Sequence, residues 1–248
     1  MGNKVINKVG PKLGIYETDT DEQLSASLGQ VREFEDGRKF RLCQNSTTAL
    51  EPGLLVQTKP DTAYTEDIVV TTAGGVGGKT VTVTNFAGHE ALSENELTGG
   101  YLCVGVGEGE VAHYGKIKFN TAAIAGADTT ITLYDALIDT ISTDSTVAWT
   151  YPIYKNVVVA TTTGMVVGCP ILNVAASTST VPVFFWAQTH GACSVLAGGT
   201  VSAGNMVNSD DNGAVIDDAA SGTGAASVGR ALQSFDDTDY GFIYLDLD

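Results

Sequence analysis

Short runs of Val, Thr, Ile, Leu and Tyr, with apolar and polar positions alternating, recur along the whole chain. KFRLCQN (39–45), DIVVTT (67–72), KTVTVTNF (79–86), YLCVGVG (101–107), TTITLYD (129–135), NVVVATTTG (156–164), VPVFFWAQ (181–188) and FIYLDL (242–247) are the clearest. A period of two in β-branched and aromatic residues is the pattern of strands, and the Gly, Asn, Asp and Ser clusters between the runs are turn signals. A helical period is present only over residues 21–30 (DEQLSASLGQ) and 133–141 (LYDALIDTI), each long enough for a couple of turns. The pattern predicts an all-β protein of many short antiparallel strands, forming a β-barrel or β-sandwich with an inserted β-rich elaboration.

One internal echo refines this. TALEPGLLVQT (48–58) and GTVSAGNMVNS (199–209) share the spacing apolar, x, x, Gly, x, apolar, Val. In each, Leu50 or Val201 ends one strand, Gly53 or Gly204 makes a tight turn, and Leu55-Val56 or Met206-Val207 begins the next. Two copies of one hairpin suggest related halves of a barrel or sandwich. The predicted organisation is an extended basic arm over residues 1–20, a β segment over 21–60 that packs with the C-terminal barrel, an inserted β-rich subdomain over 61–150, and a C-terminal barrel or sandwich over 151–248.

Composition narrows the partners. Of 248 residues, 29 are acidic and 13 basic, a formal charge of -16 that disfavours phosphate backbones and anionic lipid surfaces. Neither nucleic acid nor membrane is an expected partner. The first acid is Glu17, so Lys4, Lys8 and Lys12 form a small cationic arm on an acidic body. No run of 18 apolar residues occurs, and the N-terminus has no signal-peptide core, so synthesis in the cytosol is expected. Cys43, Cys103, Cys169 and Cys193 contain no C-x-x-C pair, which points to reduced thiols.

The motifs that resemble chemical sites fail on context. AGGVGGKT (73–80) has permissive phosphate-loop spacing, but the alternating KTVTVTNF that follows is strand, so no helix dipole would face a phosphate. Residues 208–219 place Asn208, Asp210, Asn212 and Gly213 as in a calcium loop, yet the position that needs a bidentate Glu is Ala219. His89, His113 and His190 lie in unrelated segments, and no Ser sits in a G-x-S-x-G elbow. Glu108 and Glu110 are the carboxylate pair an envelope hydrolase would use, and Trp149, Tyr151 and Tyr154 the stacking platform of a carbohydrate-binding module. No enzyme activity, cofactor or metal is expected.

The stretch VPVFFWAQTHGACSV (181–195) brings His190 and Cys193 close in sequence. Alternation sends Phe184 and Trp186 one way and Val183 and Phe185 the other, which predicts a strand buried on both faces, in the core or at a subunit contact. QTHGA reads as the turn that ends it, with Cys193 as a small hydrophobe opening the next strand.

This block and the hairpins after it resemble virion proteins of tailed bacteriophages. There an aromatic strand ending in W-x-Q-T-x-G leads to a V-L-x-G-G-x-V hairpin and then a V-G-x-A-L strand. The matching residues are Trp186, Gln188, Thr189 and Gly191; Val195, Leu196, Gly198, Gly199 and Val201; and Val228, Gly229, Ala231 and Leu232. Residues 35–57, 99–122 and 129–137 also look like these proteins. The resemblance implies a non-enzymatic head decoration, or cement, protein on the outer capsid surface, bridging major capsid protein subunits and often trimeric. A tail or neck accessory, or a carbohydrate-binding surface module, is the alternative. Lys4, Lys8, Lys12, Phe184 and Trp186 are the expected capsid or subunit interface.

Overall fold

The computed structural model describes residues 13–20, 27–60, 68–84, 91–105, 113–218 and 227–248. All of its named elements are strands, and every ladder between them is antiparallel. In chain order they are β1 (Val31–Glu33), β2 (Lys39–Gln44), β3 (Val56–Gln57), β4 (Ile68–Thr72), β5 (Thr80–Thr84), β6 (Tyr101–Gly105), β7 (His113–Asn120) and β8 (Asp128–Leu133). There follow β9 (Thr146–Thr150), β10 (Val158–Val159), β11 (Val166–Pro170), β12 (Phe184–Leu196), β13 (Met206–Ser209), β14 (Val215–Asp217), β15 (Gly229–Ala231) and β16 (Tyr240–Asp246). The chain divides into two compact units, one of Met1–Pro60 with Tyr154–Asp248 and the other Asp61–Ile153.

The second unit is a closed barrel of order β4-β5-β8-β7-β6-β9. Alternation builds it: in β5, Val81 and Val83 point inward and the Thr residues outward, and Ile131 and Leu133 of β8 meet them inside. Ile68, Val70, Leu102, Val104, Ile117, Val147 and Trp149 complete the filling. The phosphate-loop-like segment is the hairpin joining β4 to β5, with Gly77 at φ +86° in its turn. Residues 134–141 are not helical. They zip against that hairpin, Gly77 N donating to Leu137 O (2.9 Å), Leu137 N to Gly78 O (2.7 Å) and Ile141 N to Gly74 O (2.8 Å). Leu133, Leu137 and Ile141 are buried all the same, so a looped segment reproduces the i, i+4, i+8 spacing of a helix face.

In the first unit the sheet order β10-β3-β11-β12-β16-β15-β13-β14 is a palindrome of equivalent strands. One lobe is β2, β3, β10, β11 and the first half of β12; the other is the second half of β12, β13, β14, β15 and β16. Each lobe curls until its ends meet at one parallel bridge, Asn45 with Val157 and Ala197 with Val215. The register repeats residue by residue. Val56 faces Val159 and Gly168 as Val207 faces Asp217 and Gly229. Cys43 faces Phe185 and Leu42 faces Trp186 as Val195 faces Gly241 and Ser194 faces Phe242. Leu50 exchanges both backbone hydrogen bonds with Val174, and Val201 does so with Phe235. At the echo's turn Gly53 (φ +86°) donates to Pro170 O and Gly204 (φ +82°) to Ala231 O. The barrel unit is inserted between β3 and β10, where the other lobe has only the tight turn from β13 to β14. That turn holds the calcium-loop-like residues: Asp210 Oδ1 accepts from Asn212 N and Ala214 N (both 2.8 Å), so it serves as an ordinary turn cap.

QTHGA is not a turn. β12 runs unbroken through it, with Gly191 at φ +89° and a register shift against β2 between Gln188 and His190. Glycine at a bulge leaves the same mark on a sequence as glycine at a turn.

Candidate interaction surface

Phe184 and Trp186 lie inside the chain. Trp186 is 0% exposed and packs with Leu13, Ile15, Phe34, Phe40 and Leu42; its Nε1 donates to Leu13 O (3.1 Å), and the Arg32 guanidinium lies 4.6 Å from its ring centroid. Asp19 exchanges backbone hydrogen bonds with Phe184 (3.0 and 2.7 Å), so residues 13–19 lie against the first lobe as a cover. Lys4, Lys8 and Lys12 fall outside the described residues, as do His89, Glu108 and Glu110. Trp149 is buried in the barrel with Tyr151 packed against its core, and Tyr154 is half-buried beneath Arg41; the three do not form an exposed platform.

His190 and Cys193 sit on opposite faces of β12. Cys193 points into the core beside Cys169, while His190 Nε2 lies 3.0 Å from Tyr244 Oη and Nδ1 lies 3.2 Å from Asp246 Oδ1. Hydrogen bonding to Cys193 and burial raise the Cys169 thiol well above the ordinary range, and burial pushes the Cys43 thiol up to about 12. Thiols held protonated in a core are poor nucleophiles and poor metal ligands. Among the described residues no group of three or more His, Cys, Asp or Glu is placed to hold a metal.

Among the described residues, exposed apolar side chains gather on two surfaces. One is the outer face of β16, whose burial alternates strictly along the strand: Gly241, Ile243 and Leu245 face the core, while Tyr240 (54% exposed), Phe242 (48%) and Tyr244 (43%) face out. Leu232 and Met206, both exposed, extend the row across the neighbouring strands, and Arg230 faces Tyr244 across the ladder. Tyr240 is seated on Gly53, its Oη donating to Pro52 O (3.3 Å). The rim is acidic, with Asp236, Asp237 and Asp239 before the strand and Asp246 at its end, all exposed.

The other lies on the barrel unit, where the β4–β5 turn and the loop over 134–141 are zipped together. Val76 (66% exposed) and Ile138 (67%) project there, with Tyr134 half-exposed nearby and Lys79 Nζ donating to Tyr134 O (2.6 Å). Scattered apolar residues are normal on a surface, whereas contiguous aromatic rows mark binding. Sequence reading missed both places. In Tyr240–Asp246 both faces of the strand are apolar, so alternation alone does not say which one is covered. Comparison of the chain with protein-family models, with curated proteins and with solved structures gives no match.

Proposed function

We propose that this chain is a non-enzymatic structural protein of a tailed-phage virion, which binds the outer capsid surface and bridges neighbouring major capsid protein subunits. The observation that supports this reading best is the presence of exposed apolar patches in both compact units, on the barrel tip (Val76, Tyr134, Ile138) and on the β16 face. A protein that cements a lattice works by burying surface on more than one neighbour, and linked contacts add avidity beyond either one alone. The head-surface assignment itself comes from the phage-like sequence blocks around Trp186, Val195 and Val228.

Co-sedimentation with undecorated capsids tests the proposal. Saturable binding is expected, weakened about tenfold or more in the double variant Val76→Asp/Ile138→Asp, the loss of one central anchor. Absence of binding to capsids, or binding that this variant leaves unchanged, would contradict it. A carbohydrate-binding role has one observation in its favour, the exposed Tyr114 stacked on Tyr101 at 5.4 Å; saturable binding on a glycan array, lost in Tyr114→Ala, would support that role instead.

A further inference from the structure

We infer that the exposed face of β16 receives residues 1–12 of a second copy of this chain. The two lobes share one register, so each feature of one has a counterpart in the other. Phe184 corresponds to Tyr240 and Trp186 to Phe242, because their partners on the opening strands, Gln44 with Leu196 and Leu42 with Ser194, also correspond. In the first lobe this position is filled: Leu13 and Ile15 lie over Trp186, and Asp19 continues the ladder at Phe184. In the second lobe it is open. Leu196 N turns away to Gly53 O and Ala197 N donates to Asp239 O, so the Tyr240 main chain faces the edge away from β12. There it has no backbone partner among the described residues. Phe242 beside it is half exposed. An extended segment added at this edge would gain main-chain hydrogen bonds and an aromatic seat at once, the mode of strand addition.

The occupant follows from the N-terminal sequence. Lys8-Val9-Gly10 repeats the pattern of Lys12-Leu13-Gly14, whose Leu covers the first lobe, and Val5 and Ile6 lie just upstream. Lys4, Lys8 and Lys12, with no acid before Glu17, complement the rim of Asp236, Asp237, Asp239 and Asp246. Reach excludes the chain's own arm. The cover runs from Trp186 at Leu13 to Phe184 at Asp19, so its counterpart must run from Phe242 to Tyr240. Tyr240 lies opposite Leu196, ten residues along β12 from Trp186, about 33 Å at strand rise. Any seven-residue cover drawn from residues 1–12 ends at Asn7 or later, and the six or fewer steps from there to Leu13 span at most about 22 Å. The arm must therefore come from another molecule. Arm-into-face contact is heterologous, and it joins copies head to tail until they close a ring.

The inference is independent of the capsid reading and is tested without capsids, by sedimentation velocity of the full chain up to about 100 µM, where even weak association registers. Wild type is expected to assemble in a concentration-dependent way. Phe242→Ser, which alters only an exposed side chain, and the charge reversal Lys4→Glu/Lys8→Glu/Lys12→Glu are each expected to be monomeric, with near-ultraviolet circular dichroism unchanged. Mixed, these two variants have one intact face and one intact arm between them, so they should form a dimer and nothing larger. A monomeric wild type would overturn the inference, as its own arm or a foreign protein would then be the occupant. So would assembly that survives Phe242→Ser.

Discussion

Replacing Gly229 by Ala tests the close approach on which the second lobe is built. A Cβ at Gly229 would run into the Tyr244 carbonyl oxygen well inside van der Waals contact and lie 3.1 Å from Leu245 Cα, both on the backbone of β16. Neither atom belongs to a side chain that can rotate away, so β15 and β16 must separate. Overpacking of this kind costs about 1–3 kcal/mol. Weakening the flanking bonds, Asp246 N to Val228 O (3.0 Å) and Leu232 N to Phe242 O (2.9 Å), adds about 1 kcal/mol. The expected loss is about 3 kcal/mol. At the equivalent Gly168 the obstruction is chiefly a methyl group, Ala187 Cβ at 2.7 Å, with Gln188 O at 3.0 Å. Gly168 also has φ +158°, a conformation essentially confined to glycine, so Gly168→Ala should likewise cost about 3 kcal/mol, and Ala187→Gly in the same molecule should recover only the steric part of that loss. The chain has two tryptophans, Trp149 in the barrel unit and Trp186 in the duplicated unit. In a Trp149→Phe background, fluorescence during urea unfolding therefore reports the unit that carries the substitution. A Gly229→Ala protein within about 0.5 kcal/mol of its parent would refute the close approach, and with it the lobe register.

Trp186→Ala should destabilise the duplicated unit by about 3–5 kcal/mol, while Phe242→Ala at the equivalent exposed position should change monomer stability by less than about 0.5 kcal/mol; denaturant curves followed by circular dichroism compare them. One thiol per native chain, the exposed Cys103, should react with a disulfide reagent at pH 8, and Cys43, Cys169 and Cys193 only on unfolding. Burial pushes the Asp248 carboxyl up, but hydrogen bonds from Arg41 (2.7 Å) and Thr189 (2.6 Å) and the charges of Arg41 and Lys39 outweigh it, leaving its pKa below the ordinary value. Its contribution to stability is then present above the unfolded value near ~3.9 and is lost as pH falls through the folded one. Asp248→Asn should cost roughly 0.5–1 kcal/mol at pH 7, since the pair is partly open to solvent, and less at pH 2; paired melts at the two pH values check this.

The all-β architecture was legible because Val and Thr alternate cleanly in segments such as Thr80–Thr84, where local pattern and tertiary placement agree. The strand pattern after AGGVGGKT pointed to a hairpin across a Gly-rich turn, and the hairpin is there. The echo at Gly53 and Gly204 marked one corner of the duplication, the corner at which a positive φ constrains the residue. The rest of the repeat is carried by strand register, which residue types scarcely record: Trp186 and Phe242, or Leu42 and Ser194, share a position without sharing an environment. The helical reading of residues 133–141 failed because a loop zipped to a hairpin can bury every fourth residue. Alternation placed both faces of the strand at Trp186 in apolar surroundings, but what covers the Trp186 face is residues 13–19, far away in sequence.

Electron microscopy of undecorated capsids saturated with this protein tests the central claim most directly. The account predicts ordered density at fixed lattice positions, with the barrel tip at Val76 and Ile138 against capsid subunits and the β16 face at Phe242 covered by a neighbouring copy. Density that leaves both of these surfaces facing solvent, or capsids that remain bare, would contradict it.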